Sequence, residues 1–166
     1  MKRTFLRSMA IAVIAVLTMS MPAQAQQKGD MAAGGNLVIG TGDSYTNIGI
    51  GAKFQYNVTD PIRLEGSFTY FLEKDHVSMW DLSVNGHYLF PVADQITVYP
   101  LAGLCILGVK VSGWGGSASD SDIAFNLGGG IDYKLTDKLT LNAEAKYKIC
   151  NGWDRALLSV GVAFKL

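Results

Sequence analysis

The chain has 166 residues, enough for one domain, with 14 Lys and Arg against 14 Asp and Glu and no net formal charge. That balance supplies no basic field for nucleic acid, and after the first 25 residues no apolar run is long enough for a membrane-crossing helix. All 19 glycines also lie beyond residue 25, a content that suits crowded or tightly turning strands better than helices.

The first segment has the parts of a cleaved export signal. Lys2, Arg3 and Arg7 form a positive start, Met9 to Met21 an apolar stretch, and Ala23-Gln24-Ala25 a small-x-small cleavage site. Thirteen apolar residues fall short of the ~20 that a spanning helix needs. The expected division is therefore a signal at 1–25 and one domain at 26–166. Cleavage removes three basic residues and no acidic one, leaving 11 against 14, a mature charge of −3.

Beyond Gln26, period-two alternation recurs every 10 to 15 residues and predicts eight strands, at 31–41, 47–57, 62–71, 78–90, 96–110, 123–135, 139–149 and 156–166. In the second, Ile48, Ile50, Ala52, Phe54 and Tyr56 alternate with Asn47, Gly49, Gly51, Lys53, Gln55 and Asn57. The third sets Ile62, Leu64, Phe68 and Tyr70 against Arg63, Glu65, Ser67 and Thr69, and the fourth sets Trp80, Leu82, Val84, Tyr88 and Phe90 against Asp81, Ser83, Asn85 and His87. The fifth is apolar at both parities, and Pro100 within it requires a bulge or a missing ladder bond. The seventh alternates Leu139, Leu141, Ala143, Ala145 and Tyr147 with Thr140, Asn142, Glu144, Lys146 and Lys148. Segments 57–61, 91–95 and 136–138 read as short turns, whereas 42–46, 72–77, 111–122 and 150–155 read as longer loops, the third flexible and rich in Gly, Ser and Asp.

An even count of strands close to the 9–11 residues that cross a bilayer predicts an all-β fold, an eight-stranded antiparallel up-and-down transmembrane barrel. Alternation alone also fits a soluble lipocalin-like carrier with its apolar face inward. Two features favour the membrane. The aromatics Phe54, Tyr56, Tyr70, Trp80, Phe90, Tyr133, Tyr147 and Phe164 gather near strand ends, as girdles at the lipid head groups do. The polar face carries mixed charges, Lys53, Arg63, Glu65, Asp81, Asp132, Lys134, Glu144, Lys146, Lys148 and Lys165, which together with His87 are expected to fill a narrow lumen. Folding the 57–61 turn about Thr59 places Lys53 opposite Glu65.

Chemistry is sparse by comparison. His76 lies in a charged loop, and His87 and Ser83 on one strand face are about 13 Å apart, too far for a proton relay. No enzyme, cofactor or metal site is expected: the Asp120 and Asp122 loop lacks the Gly and distal Glu of a calcium loop, and Gly128-Gly129-Gly130 precedes no helix. Asn57-Val58-Thr59 has the form of a glycosylation sequon and is taken as turn chemistry. Cys105 and Cys150 would meet an oxidising compartment, but the layout sets them two strands apart, so separate thiols are expected in place of a disulfide.

The last eight residues, SVGVAFKL, resemble the carboxyl-terminal assembly signal of outer-membrane barrels, with Ser159, Gly161, Phe164 and Leu166 at its four marked places; Leu166 stands where an aromatic is commonest. More broadly, residues 26–166 resemble the small porin-like, OmpA- and OmpX-type outer-membrane barrels, in GGNLVIGTG, NIGIGAKFQYNVTDPIRLEGSFTY, VYPLAGLCILGVK and FNLGGGIDYKLTDKLTLNAEAKYK. The resemblance implies insertion in a bacterial outer membrane, contact with its lipid and lipopolysaccharide, and use of the barrel-assembly machinery. The expected function is a structural or surface-interaction role, with an extracellular loop partner unidentified; a narrow ion channel and the soluble carrier are the alternatives.

Overall fold

The computed structural model describes residues 27–42, 46–74, 77–113, 116–150 and 154–166. The expected signal at 1–25, with the chain start at Gln26, lies outside them, as do His76 and the tips of the four longer connections.

Among the described residues nine strands form one antiparallel sheet: β1 (Met31–Thr41), β2 (Thr46–Asn57), β3 (Ile62–Lys74), β4 (Val77–Tyr88), β5 (Phe90–Ala93), β6 (Ile96–Gly113), β7 (Gly116–Lys134), β8 (Leu139–Ile149) and β9 (Arg155–Lys165). β1 pairs with both β2 and β9, and β6 pairs with β4, so the sheet closes on itself. β5 continues β4 along β6, giving eight staves and no open edge through the body of the barrel.

The interruption between β4 and β5 has a local cause. His87 pairs with Leu101 and Phe90 with Val98 in one register, so the gap falls opposite Tyr99 and Pro100, and proline has no amide hydrogen to give the ladder. The fourth stave consequently runs on to Ala93, and its connection is only Asp94–Gln95, shorter than the expected 91–95 turn.

Two further expectations require correction. The described part of the expected 111–122 loop is strand: β6 and β7 run 18 and 19 residues and stay paired out to Gly113 and Gly116. The Gly, Ser and Asp content there reflects a ribbon lacking an apolar face, and hairpin pairing supplies the order that side-chain alternation does not advertise. Secondly, Lys53 lies opposite Ser67, with Glu65 opposite Gln55. The 57–61 turn is centred on Asp60 rather than Thr59, because Thr59 folds back on Ile62 through both its backbone N–H and its hydroxyl.

Side-chain parity then sorts the residues. Val84, Leu158 and Val160 point outward at about 60 % exposure, whereas Glu65 and Lys148 are 1 % exposed and point inward. The apolar face is outside, which removes the soluble-carrier alternative, since such a carrier needs that face around its cavity. All eight girdle aromatics lie on this outer face: Phe54, Tyr56, Phe90, Tyr133 and Phe164 toward the short-turn rim, and Tyr70, Trp80 and Tyr147 toward the long-hairpin rim. Of the assembly-signal residues, Phe164 and Leu166 face outward, Ser159 is buried in the lumen, and Gly161 lies against Gly35 and Asn36 of β1.

Candidate functional site: the barrel lumen

Inward positions on all eight staves converge on a bore too narrow to stay empty. A cavity of about 80 Å³ opens at the short-turn rim, and Arg63 and Asp132 are among the residues lining it. Their ion pair, Nη1 to Oδ2 at 2.7 Å, is almost completely buried. Arg63 also donates from Nε and Nη2 to His87 Nδ1 at 3.1 and 3.0 Å. Both groups rest on Tyr99: the imidazole stacks on the phenol at 4.7 Å between centroids, and the guanidinium carbon is 4.7 Å from the same ring. A Cβ on Gly130 would lie 2.6 Å from the Tyr99 hydroxyl, so only glycine admits the ring at that position.

Further along the bore, Tyr99 donates to Glu144 Oε1 at 2.8 Å, and Lys146 Nζ lies 2.9 Å from Glu144 Oε2. Lys53 Nζ stands 3.7 Å from both Glu65 and Glu144 and donates to Asn142 Oδ1 at 2.7 Å. Glu65 meets Lys53 diagonally across the sheet and takes a hydrogen bond from Gln55, its direct opposite, at 2.8 Å. Above these, Lys148 pairs with Asp81, Ser83 donates to Asp81, and Asn126 donates to Ser83 and Asn85.

Lys53, Arg63, Glu65, Asp81, His87, Asp132, Glu144, Lys146 and Lys148 therefore meet inside the barrel. Lys134 does not: it stands at the rim, 41 % exposed and 3.3 Å from Asp137, because β7 has reached its end there. Lys165, also at that rim, pairs with Asp30 at 2.8 Å. Burial on its own raises the Asp30 pKa; the hydrogen bonds from Lys165 and from the Gln27 amide outweigh it, and the net shift is downward. Sequence reading missed Tyr99, Gln55, Asn142 and Arg155. Gln55 and Asn142 were legible from strand parity; Tyr99 was hidden in a strand apolar at both parities, and Arg155 in an expected loop.

Glu65, His87 and Glu144 bring one ligand atom each to within 4.8 Å of one another. Their chemistry disfavours a metal ion. Because His87 Nδ1 accepts from a guanidinium that keeps its protons, the ring hydrogen sits on Nε2, which is then a donor without a lone pair to give. His87 likewise has Arg63, and no serine, as its partner; Ser83 is engaged with Asp81 and Asn126.

The lumen ends differently at the long-hairpin rim. Val38, Phe71 and Leu157 form one buried cluster, and Cys105, Leu107, Ala124 and Cys150 another, with Met79 packed against both.

The profile of the outer membrane protein β-barrel domain matches residues 11–165. No curated protein matches the chain by sequence. Among solved structures, the chain is similar to Neisserial surface protein A, with 16% identity, TM-score 0.69, and coverage of 82% of this chain and 96% of that one. It is also similar to Ail, the attachment invasion locus protein of Yersinia pestis, with 20% identity, TM-score 0.62, and coverage of 84% and 100%. The N-terminal β-barrel domain of Pseudomonas aeruginosa OprF has 17% identity, TM-score 0.65, and coverage of 85% and 100%. At these identities the likeness shows the fold.

Proposed function

The chain belongs to the outer membrane protein β-barrel domain family and resides in the bacterial outer membrane, and from that premise we propose that it is a closed, non-conducting barrel with a structural and surface-interaction role, without catalytic activity or cofactor. One observation carries this reading: the bore is filled by interlocked charges, with Lys53 bridging Glu65 and Glu144, and Arg63 locked between Asp132 and His87. An ion crossing such a bore would have to separate buried pairs that cost several kcal/mol each to break. The close-packed layer around Met79 adds a second obstruction at the other end of the bore.

Conductance across a planar bilayer tests it. The wild-type barrel is expected to give no regular current steps; steady unitary conductance would overturn the proposal and favour the narrow channel.

The surface role rests on the ribbon of β6 and β7. The β7–β8 ladder stops at Phe125 and Ile149, whereas β6 stays paired with β4 out to Val111 and with β7 out to Gly113 and Gly116, so the β4–β6–β7 side rises furthest at the long-hairpin rim. With short turns on the periplasmic side, as in this family, the ribbon projects from the cell. We propose lipid, lipopolysaccharide and the assembly machinery as the chain's partners, on the family resemblance. A protease site inserted between Gly113 and Gly116 is expected to be cut on intact cells; protection there, with cleavage only after lysis, would reverse the orientation.

A further inference from the structure

We propose that the apolar layer at the long-hairpin end of the lumen is a binding site for a soft monovalent metal ion, Ag⁺ or Cu⁺, held by the sulfurs of Cys105, Cys150 and Met79 with Arg155 as the counter-charge.

Both cysteines remain thiols and are buried in one cluster with Leu107 and Ala124, against which Met79 packs. Cys105 lies opposite Ala124 in the β6–β7 ladder. The β7–β8 ladder ends at Phe125 and Ile149, which brings Cys150 to the far side of that same alanine. Two strand spacings of ~4.8 Å put the cysteine Cα atoms about 9.6 Å apart. A disulfide needs them within ~7 Å. A metal ion about 2.3 Å from each sulfur replaces an S–S bond of about 2 Å with an S–M–S span of about 4.6 Å, adding roughly 2.5 Å of reach. The spacing is thus too long for a disulfide and matches a bridging ion.

Arg155 supplies the second, independent observation. It is 8 % exposed, and among the described residues no carboxylate stands within ion-pair distance of it. Its guanidinium lies over the Phe71 ring at 4.8 Å and approaches Met79 Sδ at 3.9 Å, and the Asp81 carboxylate is the acidic charge that acts on it most strongly. A Cβ on Gly40 would lie 2.7 Å from its Nη2, so the strand opposite is cut back to admit it. Asp81 is itself paired with Lys148, so Arg155 has no carboxylate in contact, and a buried cation in that position is costly. On binding, the two thiols release two protons to solvent, two thiolates and one monovalent ion make a complex of charge −1, and Arg155 neutralises it. Soft sulfur ligands of this kind select Cu(I) and its congeners over hard divalent cations.

The test uses the full-length protein purified from membranes in detergent, with both thiols verified as reduced, and isothermal titration with Ag⁺, followed by Cu⁺ under anaerobic conditions with X-ray absorption at the copper edge. One ion per chain with a sulfur-only shell is expected. Cys105→Ser and Cys150→Ser should each abolish that stoichiometric step, Met79→Leu should weaken it, and Arg155→Gln should weaken it about 10- to 100-fold. The heat-dependent gel shift confirms that each variant remains folded. Absence of a stoichiometric step in the reduced wild type, an oxygen- or nitrogen-dominated shell, or a step unchanged in both serine variants would overturn the proposal. So would a Cys105–Cys150 disulfide formed by mild oxidant in the folded barrel, since it would show that the spacing is shorter than the ladder implies.

Discussion

The two ends of the lumen solve the same problem by opposite means. Toward the short-turn rim the bore is closed by charge: Arg63 is held by Asp132 and His87 and lies over Tyr99, and the carboxylates and ammonium groups above it interlock. Toward the long-hairpin rim it is closed by Val38, Phe71, Met79, Leu107 and Leu157, and the one arginine there has an aromatic face and a thioether as its contacts. The difference teaches that inward-facing and polar are separate properties. Parity along a strand decides which way a side chain points; its depth in the bore decides what it must meet.

The sharpest way to break the comparison is to remove one member of the charged end. Asp132→Ala leaves Arg63 buried without its carboxylate and is expected to destabilise by about 3–5 kcal/mol in reversible unfolding from detergent or vesicles. Glu65→Ala should cost less, because Lys53 keeps Glu144 and Asn142. Equal, negligible effects would mean that these groups are hydrated. Next comes the apolar end: Leu157→Ala opens a cavity beside Val38 and Phe71, with an expected cost of about 3 kcal/mol in the same assay. Its neighbour Leu158 is 60 % exposed on the lipid face. Leu158→Arg should cost about 2–3 kcal/mol in a bilayer by placing a charge against lipid and opens no cavity, so the two adjacent leucines fail for different reasons.

The smallest effect belongs to the rim. Asp30 has a lowered pKa in the folded protein, so its contribution is present above the ordinary carboxylate range and is lost as pH falls through the folded value. Asp30→Asn should therefore cost under about 1 kcal/mol at neutral pH. Below about pH 4 the stability difference between wild type and variant should shrink toward zero; a difference constant with pH would mean that the Lys165 pairing contributes nothing.

Much of the fold was legible because period-two alternation imposes its own accounting. Ile48 to Tyr56 and Leu139 to Tyr147 place every second residue in lipid, and eight such segments close only as a barrel. Legibility failed where no bilayer acts on the strand. The 111–122 segment has no apolar face to betray it, and it becomes a ribbon because its two halves pair with each other. For the lumen, parity identified nine charged or titratable groups that meet inside, yet it also nominated Lys134 and Lys165, which parity directs inward but which the ends of β7 and β9 deliver only as far as the rim.

The sequence by itself determined the strand periods, the apolar exterior, the girdles and the inward direction of the charges, since each depends only on a residue's own parity in a two-residue repeat. Only the tertiary structure decided who meets whom. Lys53 serves Glu65 diagonally instead of facing it, Tyr99 carries both Arg63 and His87, and Arg155 lies between Met79 and Phe71 from three staves. These contacts depend on turn lengths and on the stagger between strands. A shift of two residues leaves every parity unchanged and alters every partner.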